Sequence, residues 1–152
     1  MKILRFVLDK IFLILFSILI LLFPPIVRIV SSQEKEKINI SINEHKLTVE
    51  IADTIAKRAI GLMFKSELKW DEGMLFVFST SQYVSFWMKD TKISLSLAFI
   101  DEKGVITEIL DLKPYDLSKR TSKTKIKYAL EVNQGWFKKK KIKIGDTVKG
   151  LP

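Results

Sequence analysis

The sequence predicts an all-β fold: a compact β-sandwich or barrel-like domain with one or two short helices, preceded by an N-terminal hydrophobic signal or anchor helix. Three observations point there. Apolar and polar residues alternate with period two at 38–42, 47–51 and 126–133, the spacing of half-buried strands. Turn-forming residues (Asn43, Gly61, Gly104, Gly145-Asp146) punctuate the apolar runs. Beyond the N-terminal segment, only 54–60 and 134–140 suit a helix, and each holds one or two turns. Many short strands with few helices imply a sandwich or closed barrel of roughly seven to nine strands.

In chain order, residues 1–10 carry Lys2, Arg5 and Lys10 against Asp9, and 11–23 run IFLILFSILILLF without a charge. A basic region followed by a short apolar one is the layout of a secretory signal. The 13 uncharged residues would span roughly 20 Å as a helix, short of a ~30 Å hydrocarbon core, and Pro24-Pro25 interrupts any extension. Val30 and Ser32 offer small residues for cleavage. Cleavage and retention as a short anchor both stay open, and in either case the basic flank places the body outside the cytoplasmic membrane. The expected location is periplasmic or extracytoplasmic, secreted or tethered to the inner membrane. The divisions are 1–32 signal or anchor, 33–37 charged tether (QEKEK), and 38–152 the β domain.

The chain of 152 residues has a formal charge of +9, and residues 1–30 hold four Lys/Arg and one Asp, leaving the body near +6. That balance favours acidic partners, although a solvated basic surface satisfies it equally. With no cysteine, the body has no disulfide, thiolate nucleophile, Cys-ligated zinc or lipoprotein anchor. Its size still buries about two-thirds of the unfolded surface.

The body opens on a hairpin, 38–42 and 47–51, around a turn at 43–46 that contains His45, the single histidine. Asp53 or Thr54 caps a helix ending at Gly61, with Ile55, Ala59 and Leu62 expected on its inner side. Residues 66–71 form a loop that lays Trp70 over the hydrophobic edge. Residues 73–78 (GMLFVF) are apolar on both faces, as in a strand covered above and below. A turn at 79–82 leads into YVSFWMKDT at 83–91, where Phe86 and Met88 face one way and Ser85, Trp87 and Lys89 the other. Residues 95–100 and 105–110 make a hairpin closed by Gly104. After the polar connection 113–125, the strand 126–133 sets Ile126, Tyr128, Leu130 and Val132 on one face, and Lys127, Glu131 and Asn133 on the other. A helical turn or two and a short strand at 147–149 complete the chain.

These pieces resemble the bacterial and archaeal family DUF192. The resemblance is carried by VEIADT at 49–54, RAIGLMF at 58–64, residues 73–78, FWMKDT at 86–91, AFID at 98–101, ALEVN at 129–133, Gly135 and Gly145-Asp146. It covers about 47–149 in the family's order. It implies a compact β-sandwich or barrel with small helices, and little chemistry. The family carries Asn where this chain has Asp90, Pro at Ser94 and Asp at Ser96. A carboxylate needed at 96 is therefore expected either at Asp90 or nowhere.

The candidate ligand-binding residues are Arg58, Trp87, Lys89, Asp90, Glu131 and Asn133. An indole beside an ammonium and carboxylates can stack a sugar ring and bond its hydroxyls. Salt bridges fixing the helix to the sheet, such as Arg58 to Glu131 or Asp90, are the structural alternative. Met63, Met74 and Met88 fit core packing better than soft-metal binding, and no metal or cofactor is expected. Lys138 to Lys141 beside Trp136 and Phe137 suit a solvated turn or an anionic membrane surface. The leading function is an envelope module for a small-molecule or carbohydrate-like ligand. It contacts membrane through the N-terminal segment if that is uncleaved, binds no nucleic acid, and its oligomeric state is open. A hydrolase using Asp90 and Glu131 and a non-catalytic scaffold are the alternatives.

Overall fold

A computed structural model of the protein describes residues 36–152. The expectations for the signal or anchor and for most of the tether lie outside the described residues, among which no helix is long and apolar enough to cross a membrane.

The strands are β1 (Lys37–Ile42), β2 (His45–Ala52), β3 (Glu72–Gln82), β4 (Ser85–Phe86), β5 (Leu95–Ile100), β6 (Ile106–Leu112), β7 (Arg120–Thr121), β8 (Ile126–Asn133) and β9 (Val148–Lys149). The helices are α1 (Ile55–Ile60) and α2 (Trp136–Lys139). Seven strands form one sheet in the order β6-β5-β8-β3-β2-β1-β9, and β4 pairs with β7 in a separate ribbon. The sheet curls into a half-barrel, so the mostly-β expectation holds.

Turn chemistry sets the first hairpin tighter than expected. Asn43 adopts φ +54°, which asparagine tolerates, so the turn needs only Asn43 and Glu44, and His45 pairs with Ile42 inside β2. β2 and β3 then pair in parallel, a geometry that demands a crossover, and residues 53–71 with α1 provide it. The expected turn at 79–82 is instead a continuation of β3, whose register against β8 shifts between Val77 and Gln82, as at a bulge.

Period-two alternation sends residues to two cores. One cluster includes Leu47, Val49, Leu75, Ala98, Leu130 and Val132. Because Ile106 and Val148, from opposite ends of the sheet order, join it, this face is the inside of the curl. The other cluster holds Met74, Phe76, Leu97, Phe99 and Ala129, roofed by Leu62 and Met88 with Val84 and Phe86 packed against it. β5 is buried along its whole length and β3 from Gly73 to Phe76, the double-sided burial that GMLFVF signals.

α1 departs from its expected packing. It buries none of its own residues, Ile55 is 81% exposed, and Leu62 beyond its end enters the core. Trp136 and Phe137 are buried, so their rings serve the inner core rather than an external surface. Of the adjacent lysines, Lys139 lies 4.9 Å from the Trp70 ring and Lys140 sits 3.5 Å from Asp71, while Lys138 and Lys141 are exposed.

Candidate functional site

β8 builds the site's floor. Glu131 pairs in register with Met74 on β3 and Leu97 on β5, so its carboxyl projects from the outer face of the sheet into the second core. The roof over that face is incomplete. Between α1 with its following turn, β3, β4 and the 87–91 segment lies a cavity of about 330 Å³, and Glu131 lines it. Phe76, Phe78, Phe86 and Trp87 supply aromatic walls, Thr91 and Ser85 hydroxyls, and Arg58 a guanidinium.

Local sequence explains each placement. Thr54 caps α1 by accepting from the Lys57 amide at 3.2 Å, and Gly61 stops it at φ +51°. That stop directs Leu62 inward and leaves Arg58 on the cavity side. Arg58 is held there by Nη1, which donates to the carbonyls of Asp53 and Val77, and by the Phe78 ring 5.2 Å away. The cross-strand ribbon of β4 and β7 fixes Phe86, whose ring meets Phe76 edge-on at 4.9 Å.

Electrostatically, Glu131 is the unusual group. It is 4% exposed and makes no hydrogen bond or ion pair among the described residues. Burial in this apolar setting pushes its carboxyl up to about 8, so it holds its proton at neutral pH. Such a group offers one O–H donor and acceptor oxygens, and its lack of a protein partner leaves them for a guest.

The candidate residues separate into two sets. Arg58, Trp87 and Glu131 share the cavity. Lys89 stands at its rim, 5.6 Å from the Trp87 ring, and is exposed. Asp90 and Asn133 are not among the lining residues. Asp90 is exposed, and its backbone carbonyl accepts from the Phe64 amide at 2.9 Å. Asn133 donates to the carbonyls of Leu68 and Lys69 and so fastens the crossover loop. The expected salt bridges from Arg58 to Glu131 or Asp90 do not form; carbonyl oxygens take the guanidinium instead. Asp90 thus does not share the cavity lining with Glu131.

Three residues outside the lining hold strained backbone. Phe64, Asp90 and Tyr115 adopt φ of +62°, +51° and +60°, which bulky residues rarely accept. Phe64 bonds Asp90, and the Tyr115 amide donates to Thr91 at 3.0 Å, so the strained positions meet around the 88–91 segment. Conformations costing about 1–3 kcal/mol each persist where the surroundings fix them, and they gather at functional sites.

The profile of the family DUF192, described as uncharacterised ACR, matches residues 37–150. The chain belongs to this family. Two solved structures are similar to this DUF192 domain. One, described as a candidate transcription regulator from Sinorhizobium meliloti 1021, is 31% identical with a TM-score of 0.74, over 76% of this chain and 94% of that one. The other, a protein of unknown function from Novosphingobium aromaticivorans DSM 12444, is 29% identical with a TM-score of 0.74, over 78% of this chain and 89% of that one. No curated protein matches.

Within this DUF192 domain, Ser96 is 2% exposed and donates to Asp111 at 2.6 Å, its cross-strand partner on β6. It also accepts from the Gly135 amide at 3.0 Å. The carboxylate bonded to Ser96 is thus that of Asp111. Sequence reasoning overlooked Asp111, although its place on the strand after Gly104 is the signal that pairs it with Ser96. Phe76 and Phe78 went unnoticed as cavity walls, because apolar strand residues read as core.

Proposed function

We propose that this protein is an exported or membrane-tethered cell-envelope module that binds a small, carbohydrate-like molecule in the Arg58–Trp87–Glu131 cavity. The observation carrying this reading is Glu131: a protonated carboxyl without a protein partner, at the floor of an aromatic-walled space. A ligand hydroxyl would give that carboxyl a hydrogen-bond partner while rings stack on Trp87. A volume of about 330 Å³ lies at the small end of ligand sites, which suits one sugar-sized unit rather than a polymer chain. The export half of the proposal rests on the basic and apolar N-terminal pattern.

The test is a thermal-shift screen with monosaccharides, amino sugars and muropeptides. A ligand at a hundredfold excess over its dissociation constant stabilises the native state by about 2.7 kcal/mol. Shifts abolished by Trp87→Ala and by Glu131→Ala, with the fold retained, support the reading; a flat screen refutes it for those ligands. Accessibility of the body to protease added outside spheroplasts checks the export half.

A further inference from the structure

Arg58 and Glu131 are the two ionisable side chains lining the cavity. Arg58 uses Nη1 for the carbonyls of Asp53 and Val77, and its Nε and Nη2 make no hydrogen bond among the described residues. Those two nitrogens form one edge of the guanidinium fork, an edge that matches the paired oxygens of a carboxylate. Carbonyl partners orient the group without cancelling its charge. The Asp53 carboxylate senses Arg58, but its hydrogen bond goes to Lys57 at 2.9 Å.

The rest of the cavity has the same sign. Glu131 keeps its proton at neutral pH because burial raises it to about 8, so it contributes a donor and no negative charge. Its flanking neighbours in the sheet, Met74 and Leu97, are uncharged, and Thr91 adds a hydroxyl. Lys89 adds a second cation at the rim. An ammonium entering here would meet Arg58 with no ionised carboxylate in the lining to offset it, whereas a carboxylate meets an open fork.

We propose that the cavity selects ligands bearing a carboxylate, bound side-on to Arg58 Nε and Nη2, with a ligand hydroxyl on Glu131 and the ring or apolar portion against Phe78, Phe86 and Trp87. This rests on the ligand-binding reading above and names its substrate class.

The experiment is calorimetry on the full chain in mild detergent, using pairs that differ in the carboxylate. Suitable pairs are glucuronate and glucose, N-acetylmuramic acid and N-acetylglucosamine, and phenylpropionate and phenylpropionamide. A charge-assisted bidentate contact predicts tighter binding of the acid by about tenfold or more. Arg58→Gln removes that difference, and Arg58→Lys, which keeps the charge and loses the fork, recovers only part of it. Above pH 8 ionised Glu131 repels the bound carboxylate, so the acid's affinity falls there, and Glu131→Gln abolishes that fall while keeping the preference. Equal or stronger binding of the neutral members, or a preference that survives Arg58→Gln, overturns the anionic class and leaves the cavity reading standing. Absence of binding by every probe overturns both.

Discussion

Glu131 couples stability to pH in an unusual direction. An acid whose folded pKa is raised from 4.5 to about 8 costs nothing below 4.5, where both states are protonated. From there upward the unfolded chain ionises first, so stability falls with rising pH and levels off above about 8. The full effect is roughly 4–5 kcal/mol, an upper figure for a group at a cavity floor. Asp53, Asp71, Asp116 and Asp146 work oppositely. Their carboxyls lie below the ordinary value, Asp53 chiefly through its Lys57 hydrogen bond, Asp71 through the Trp136 indole, Asp116 through the Ser118 amide and Asp146 through the Lys143 amide. Their contribution is present above about 4 and lost below it. Urea melts should therefore place maximum stability near pH 4–5, with a decline toward pH 8. Glu131→Gln should remove most of that decline and raise stability at pH 8 by a few kcal/mol. An unchanged slope in the variant would contradict the burial of an unpaired carboxyl.

At the level of elements, α1 is held by its ends. With no buried residue of its own, it depends on the Thr54 cap, the Arg58 bonds to Asp53 and Val77, and the left-handed stop at Gly61. Thr54→Ala should cost about 1 kcal/mol in a denaturant melt. Gly61→Ala should cost more, because it forces a side chain to φ +51° and sets a methyl 3.2 Å from the Phe76 ring in the cavity wall. A binding assay on both variants separates the effects: ligand affinity should weaken further in Gly61→Ala than in Thr54→Ala. The cap and the stop were legible in the sequence because they are chemical signals within seven or eight residues. The β8 strand was legible at both ends for the same reason, since its alternation is local. What alternation could not show is that the polar-looking face of β8 lies beneath a roof. Glu131 reads as solvent-facing until the 83–94 segment, placed by pairings of Phe64 with Asp90 and Tyr115 with Thr91, covers it. Those pairings span tens of residues and leave no periodic trace. Phe86 and Met88 nonetheless face inward with Trp87 exposed, as their spacing implied.

For the molecule as a whole, the decisive feature is how the curled sheet manages its ends. β6 and β9 stand at opposite ends of the strand order, yet Val105 bridges Thr147, the Ile106 amide donates to Asp146 at 2.9 Å, and the Val148 amide donates to Gly104 at 2.8 Å. These bonds occupy edge groups that would otherwise be open to another chain. The Tyr128 hydroxyl adds a bond to the Pro152 carbonyl at 2.7 Å, so the C-terminus is stitched to a central strand. Gly104 is the vulnerable point. Its φ is +81°, and an added Cβ would stand 2.9 Å from the Val148 carbonyl oxygen, a backbone atom that cannot swing aside. Gly104→Val should therefore break the closure rather than merely strain a turn, costing more than the ~1–2 kcal/mol of left-handed backbone strain alone. Hydrogen exchange should then show lost protection at Ile106 and Val148, while Leu97 and Ala129 in the second core keep theirs, because the cavity-bearing face takes no part in the closure. Uniform loss at all four amides would mean that the two cores unfold as one unit, and that the cavity depends on the closed end of the half-barrel.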